Sequence, residues 1–126
     1  MVRIIIAGSR DFNNYKKLET TMDNYLKSVR DEVEIICGGA RGADSLGEIY
    51  AQFHNIKCVK FPADWDKYGK SAGYRRNVQM AEYAEKENGI LFAFWDGQSK
   101  GTKHMIDIAN QHGLEVHIIN NTRITD

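Results

Sequence analysis

Five short apolar runs, over residues 2–7, 33–37, 58–61, 90–94 and 116–119, alternate with four longer segments whose apolar positions recur every three or four residues. Tyr15, Leu18, Met22, Tyr25, Leu26 and Val29 mark one helical face, and Ala43, Leu46, Gly47, Tyr50 and Phe53 mark a second. A third helix is expected over 73–86, ending before Asn88-Gly89, and a fourth over 101–112, ending at Gly113. This beat of strand and helix belongs to an α/β domain. The first, second and fourth runs are apolar almost throughout, as strands covered on both faces are. The third carries Lys57 and Lys60 and the fifth Glu115 and His117, which places those two at the edges. Right-handed crossovers then give the strand order 3-2-1-4-5, a Rossmann-like doubly wound parallel sheet in three layers. Residues 1–126 read as one such domain, with 120–126 expected to fray.

Composition narrows the function classes. The chain has 17 Lys+Arg against 17 Asp+Glu, and non-specific binding to nucleic acid or an anionic membrane needs a broad basic excess that this balance does not supply. Any anion site must be local. Cys37 and Cys58 lie in apolar runs without CxxC spacing, and the four histidines are scattered, so no metal site is expected. The opening apolar run is too short for a signal peptide and no stretch approaches the ~18 apolar residues of a membrane span, so a cytoplasmic protein is expected.

In a doubly wound sheet the ligand sits at the carboxyl ends of the strands, where the order reverses, here between strands 1 and 4. Four loops reach that edge: Gly8-Ser9-Arg10-Asp11-Phe12, Gly38-Gly39-Ala40-Arg41-Gly42-Ala43-Asp44, Pro62-Ala63-Asp64-Trp65, and Trp95-Asp96-Gly97-Gln98-Ser99-Lys100-Gly101-Thr102. Seven of the eleven glycines fall in or beside these loops. Glycine brings backbone N–H groups close to an anion at a helix N-terminus, although strand-to-helix turns also use it for conformation alone. No loop carries a GxGxxG fingerprint or a P-loop.

Arg10, Arg41, Lys70, Arg75, Arg76, Lys100 and Lys103 gather at the same edge, interleaved with Asp11, Asp44, Asp64, Asp66 and Asp96. A guanidinium grips phosphate bidentately and a carboxylate accepts hydrogen bonds from ribose hydroxyls, while some of these charges are expected to pair with one another. Trp65 and Trp95 each follow a strand end, where an indole either stacks on a base or caps the core.

Taken together with Ala72-Gly73-x-x-Arg76-Asn77-x-x-Met80, these loops resemble the short YspA-like, YpsA-related branch of the SLOG superfamily, over residues 2–119. The resemblance implies a Rossmann-like nucleotide-binding fold, with relatives that bind or cleave nucleotide derivatives such as ADP-ribose and NAD. The superfamily's Lonely Guy phosphoribohydrolases carry a Pro-Gly-Gly-x-Gly-Thr-x-x-Glu motif with a catalytic glutamate. The matching stretch here, Gly97 to Met105, places Met105 at the glutamate position and keeps Gly97 to Thr102. Methionine cannot stabilise an oxocarbenium-like state, so a carboxylate for that chemistry would have to come from another loop, from Asp44, Asp96 or Asp11.

The leading expectation is a sensor or sequestering module for a nucleotide-derived small molecule, requiring no cofactor beyond a ligand of nucleotide type. Its ligand-binding residues are Gly8, Ser9, Arg10, Gly38, Gly39, Ala40, Arg41, Gly42, Asp44, Asp64, Arg76, Asn77, Trp95, Asp96, Gly97, Ser99, Lys100, Gly101 and Thr102. The alternatives are a hydrolase of such a nucleotide, with Asp44 or Asp96 catalytic, and single-stranded DNA binding, which the charge balance disfavours. A homo-oligomer is left open.

Overall fold

The computed structural model describes residues 1–120, and the rest of the tail expected to fray, 121–126, lies outside them. Asn120, placed in that tail by the sequence, closes the last strand opposite Trp95.

Five parallel strands form one sheet: β1 (Val2–Gly8), β2 (Val33–Cys37), β3 (Lys57–Lys60), β4 (Asn88–Trp95) and β5 (Glu115–Asn120), in the order β3-β2-β1-β4-β5. β1 is central, pairing with β2 from Val2↔Val33 and with β4 from Val2↔Asn88 through Gly8↔Phe94. Its Ile4, Ile5 and Ile6 are wholly buried, each such side chain stabilising the fold by roughly 1.5–3 kcal/mol. Because successive side chains point to opposite faces, Ile4 and Ile6 join one core and Ile5 the other.

The helices α1 (Tyr15–Leu26) and α2 (Ala43–Phe53) cover the first face through Leu18, Met22, Ala43, Tyr50 and Ala51. On the second face, α4 (Ala72–Glu85) and α5 (Lys100–Gln111) bring Met80, Ala81, Ala84, Met105, Ile106 and Ala109. The charges on the edge strands expected from the sequence are exposed at Lys57, Lys60 and Glu115, while His117 is half-buried against Phe92 and Tyr25.

One region departs from expectation. Between β3 and the long helix the chain makes one α turn, α3 (Trp65–Tyr68), then a 3-10 turn over Gly69–Ser71, so that α4 starts at Ala72. Asp64 caps α3 by accepting from Lys67 N at 3.1 Å, and the Ser71 hydroxyl donates to Tyr68 O at 2.9 Å. Four residues without apolar periodicity carry no helical signal that a pattern can register. Among the described residues no helix is long and apolar enough to cross a membrane.

Candidate functional site

A cavity of about 820 Å³ opens at the carboxyl edge of the sheet, over the switch point between β1 and β4. Ala7, Gly8 and Ser9 continue β1 into it, and Ser9 is buried, its hydroxyl accepting from Asp96 N at 3.2 Å. This bond ties the first loop to the loop after β4.

The loop after β2 folds around an acid. Asp44, in the first turn of α2, is only 5% exposed, and its carboxylate accepts from Ala40 N at 3.3 Å and from the Gly38 backbone. Burial pushes its pKa up to about 6, against the opposing pull of the Arg76 guanidinium and of those two backbone donors. Thus the amides of Gly38 and Ala40, which the glycine pattern suggests for an anion, are already occupied by a carboxylate.

The loop after β4 is arranged differently. Asp96 is half-buried and accepts from Gln98 N and Ser99 N, both at 2.8 Å, which holds its pKa below the ordinary carboxylate value. Ser99 caps α5, its hydroxyl accepting from Thr102 N at 3.4 Å and lying 3.1 Å from the Thr102 hydroxyl. The amides of Lys100 and Gly101, next along the helix, have no acceptor among the described residues. They are the unsatisfied donors of a helix N-terminus, where the dipole also favours negative charge.

Arg76 joins the two loops. Its guanidinium donates to Gly38 O and, through Nε, to Asn77 Oδ1 at 3.1 Å. Gly38 makes the approach possible, since a Cβ there would overlap the guanidinium. Buried Asn77 in turn reaches Gly101 O at 3.4 Å and His104 Nδ1 at 3.1 Å. Burial lowers the pKa of Arg76, partly countered by Asp44, and burial likewise lowers that of His104.

The pairing expected between charges at this edge is largely absent. Among the described residues Arg10, Arg41, Lys70, Arg76 and Lys100 form no ion pair, and Lys103 pairs only with Asp107 along α5, at 3.0 Å. Arg75 is engaged locally, stacked over Tyr68 at 4.4 Å and donating to the Ser71 hydroxyl.

Of the residues expected at the site, Gly8, Ser9, Arg10, Gly38, Gly39, Ala40, Arg41, Asp44, Arg76, Asn77, Asp96, Ser99, Gly101 and Thr102 line the cavity. Five do not. Asp64 caps α3, Gly42 is packed against the backbone of Ser9 and Arg10, and Gly97 and Lys100 lie on the exposed outer part of their loop. Trp95 is turned inward, its indole N–H donating to Ser99 O at 3.0 Å and its ring packing on the second core. The cavity instead takes Trp65, Tyr74 and Lys70 from the α3–α4 corner, together with Met80 and Met105 from beneath. Met105 is buried in the second core, so the position of the expected glutamate is apolar. Spacing three residues ahead of Asn77 is the signal that could have located Tyr74, once the helix was known to start at Ala72.

The comparisons with known proteins agree with this architecture. Over 98% of the chain the fold superposes on DNA processing protein A from Streptococcus pneumoniae with a TM-score of 0.70, at 16% identity, covering 51% of that protein's chain. The Gene 61 protein of Mycobacterium phage D29 is 30% identical over 121 residues, 92% of this chain and 94% of the phage protein. Residues 2–68, more than half of the chain, match the profile of the YspA, cpYpsA-related SLOG family, and the chain belongs to it.

Proposed function

We propose that the protein binds a nucleotide-derived small molecule, of the ADP-ribose, NAD or nucleoside phosphate class, as a sensor or sequestering module. The observation that carries this reading is the polarity of the cavity. The open Gly101 amide at the start of α5 and Arg10, Arg41, Lys70 and Arg76, none of them ion-paired among the described residues, line space for an anion, with buried Asp44 near Arg76. A phosphate is stabilised between α5 and Arg76 and repelled by ionised Asp44, which suits a hydroxyl donor such as a ribose instead.

The test is a thermal-shift screen with AMP, ADP-ribose and NAD. A true ligand at about a hundred times its dissociation constant raises stability by roughly 2.7 kcal/mol, and Arg76→Ala removes the shift. No shift with any of them sinks the reading.

Buried Asp44 favours a second reading, hydrolysis of an N-glycosidic or phosphate bond, since a carboxyl of raised pKa in a cavity suits acid–base work. Chromatographic detection of free base from AMP, lost in Asp44→Asn, would establish it. Single-stranded DNA has the fold of DNA processing protein A in its favour and the charge balance of this chain against it.

A further inference from the structure

Trp95 is the last residue of β4 and Trp65 opens α3 five residues beyond β3, and their environments are opposite. Trp95 is half-buried and its N–H is bonded. Trp65 is 52% exposed, lines the cavity, and its indole N–H has no acceptor among the described residues. A large aromatic ring left half in water is uncommon where the chain could have buried it. Nor does Trp65 sit on a loose segment: the Asp64 cap, the Ser71–Tyr68 bond and the Arg75 stack brace the turn on both sides.

The indole rests against the first turn of α4 at Gly73. A Cβ on Gly73 would lie 3.4 Å from Trp65 Cη2 and 3.8 Å from Arg76 Nη2. Aromatic surface and guanidinium therefore meet at one point of the cavity wall. Tyr74, the residue after Gly73, adds a second exposed ring at the cavity, and His104 backs it at 4.4 Å.

We infer that Trp65 is the base-stacking platform of the site, and that the ligand is a nucleoside 5′-monophosphate unit, free or as part of a larger nucleotide, whose base lies on this indole beside its Arg76-bound phosphate. The inference rests on the nucleotide reading above and adds which part of the ligand is recognised by which side chain. A ring and an anion bound side by side are one sugar apart in such a unit, whereas a base separated from its bound anion by further phosphates does not fit this juxtaposition. Stacking is blind to the identity of the base, so Trp65 selects for a base as such and not for one base.

The experiment compares AMP, ribose 5-phosphate and a short single-stranded oligodeoxynucleotide by tryptophan fluorescence and thermal shift, on the intact chain and on Trp65→Leu and Trp65→Phe. AMP is expected to quench the wild-type emission, and ribose 5-phosphate to raise the melting temperature without quenching. Trp65→Leu should weaken AMP roughly 10- to 100-fold while leaving ribose 5-phosphate affinity unchanged. Trp65→Phe, which keeps a ring and guards against a folding defect, should restore most of the loss. Equal AMP affinity in wild type and Trp65→Leu overturns the platform and leaves phosphate binding standing. Binding of neither AMP nor ribose 5-phosphate overturns the nucleotide reading first and the platform with it. Quenching by the oligodeoxynucleotide and not by AMP overturns the commitment to a monophosphate unit.

Discussion

Asp44 and Asp96 face one cavity, both accept backbone N–H bonds, and their acidities move in opposite directions. Asp96 stands half in water at 2.8 Å from both donors, and the hydrogen bonds win, so its carboxylate is stabilised. Asp44 is nearly sealed off, with Ala40 N at 3.3 Å, and desolvation wins even with Arg76 nearby. Asp96 has the more numerous and closer donors and the greater exposure, and both push its acidity away from that of Asp44, whose few long bonds do not offset its burial. The acid of the β4 loop holds a turn together and leaves the helix amides beyond it open. The acid of the β2 loop holds a proton that neutral pH can remove, which makes it a candidate for the chemistry of the site.

The largest contrast lies in the glycines that close the two loops. Gly42 has φ +81° and ψ −130°, and a Cβ there would collide with the carbonyl oxygen of Ser9. Gly97 has φ +83°, but nothing lies within 4 Å of its Cβ position. Gly42→Ala should thus cost about 3 kcal/mol or more, by strain and by collision together. Gly97→Ala should cost about 1–2 kcal/mol, from the left-handed backbone alone. Urea melts of the two variants measure this directly, and equal losses would mean that the β2 loop yields where it looks packed.

Next in size is the pH dependence of Asp44. The folded protein holds this proton more tightly than the unfolded chain does, with a pKa of about 6 against 3.8. The stability that follows is present below 3.8 and lost as pH rises through about 6. Asp44→Asn removes that loss, so the variant should gain about 2–3 kcal/mol on wild type between the two ends of the window. Melts at acid and neutral pH check it, and parallel curves for the two proteins would show that Asp44 is not desolvated in solution.

Much of this arrangement was legible in the residues. Nearly uninterrupted apolar runs placed β1, β2 and β4 inside the sheet, and Lys57, Lys60, Glu115 and His117 placed β3 and β5 at its edges. The cavity follows from that order, because the switch point is a property of topology. What stayed hidden depends on contacts between segments. The Gly38–Gly42 loop looks like an anion cradle until Asp44 is seen inside it. Nor does the sequence distinguish a half-buried Trp95 from an exposed Trp65, since both stand near a strand end and only the short α3 turn brings the latter against Gly73. The charges did not pair as expected because the loops that carry them approach through backbone and amide contacts, leaving the longer side chains at the rim.

The smallest effect concerns Asp96, whose replacement separates geometry from charge. Asp96→Ala removes the acceptor of the Gln98 and Ser99 amides and should cost about 1–2 kcal/mol, as the loss of a helix-capping side chain does. Since the folded pKa is lowered, the carboxylate's contribution is present above the unfolded value of 3.8 and fades as pH falls through the folded one. The cost of Asp96→Ala should accordingly shrink in acid, where that of keeping Asp44 disappears as well. Asp96→Asn retains an oxygen for both amides and should recover most of the stability at neutral pH. If the amide variant is as unstable as the alanine one, charge and not turn geometry holds the β4 loop. The amides of Lys100 and Gly101 would then owe their placement to a neighbouring negative charge, which would weaken any anion bound to them.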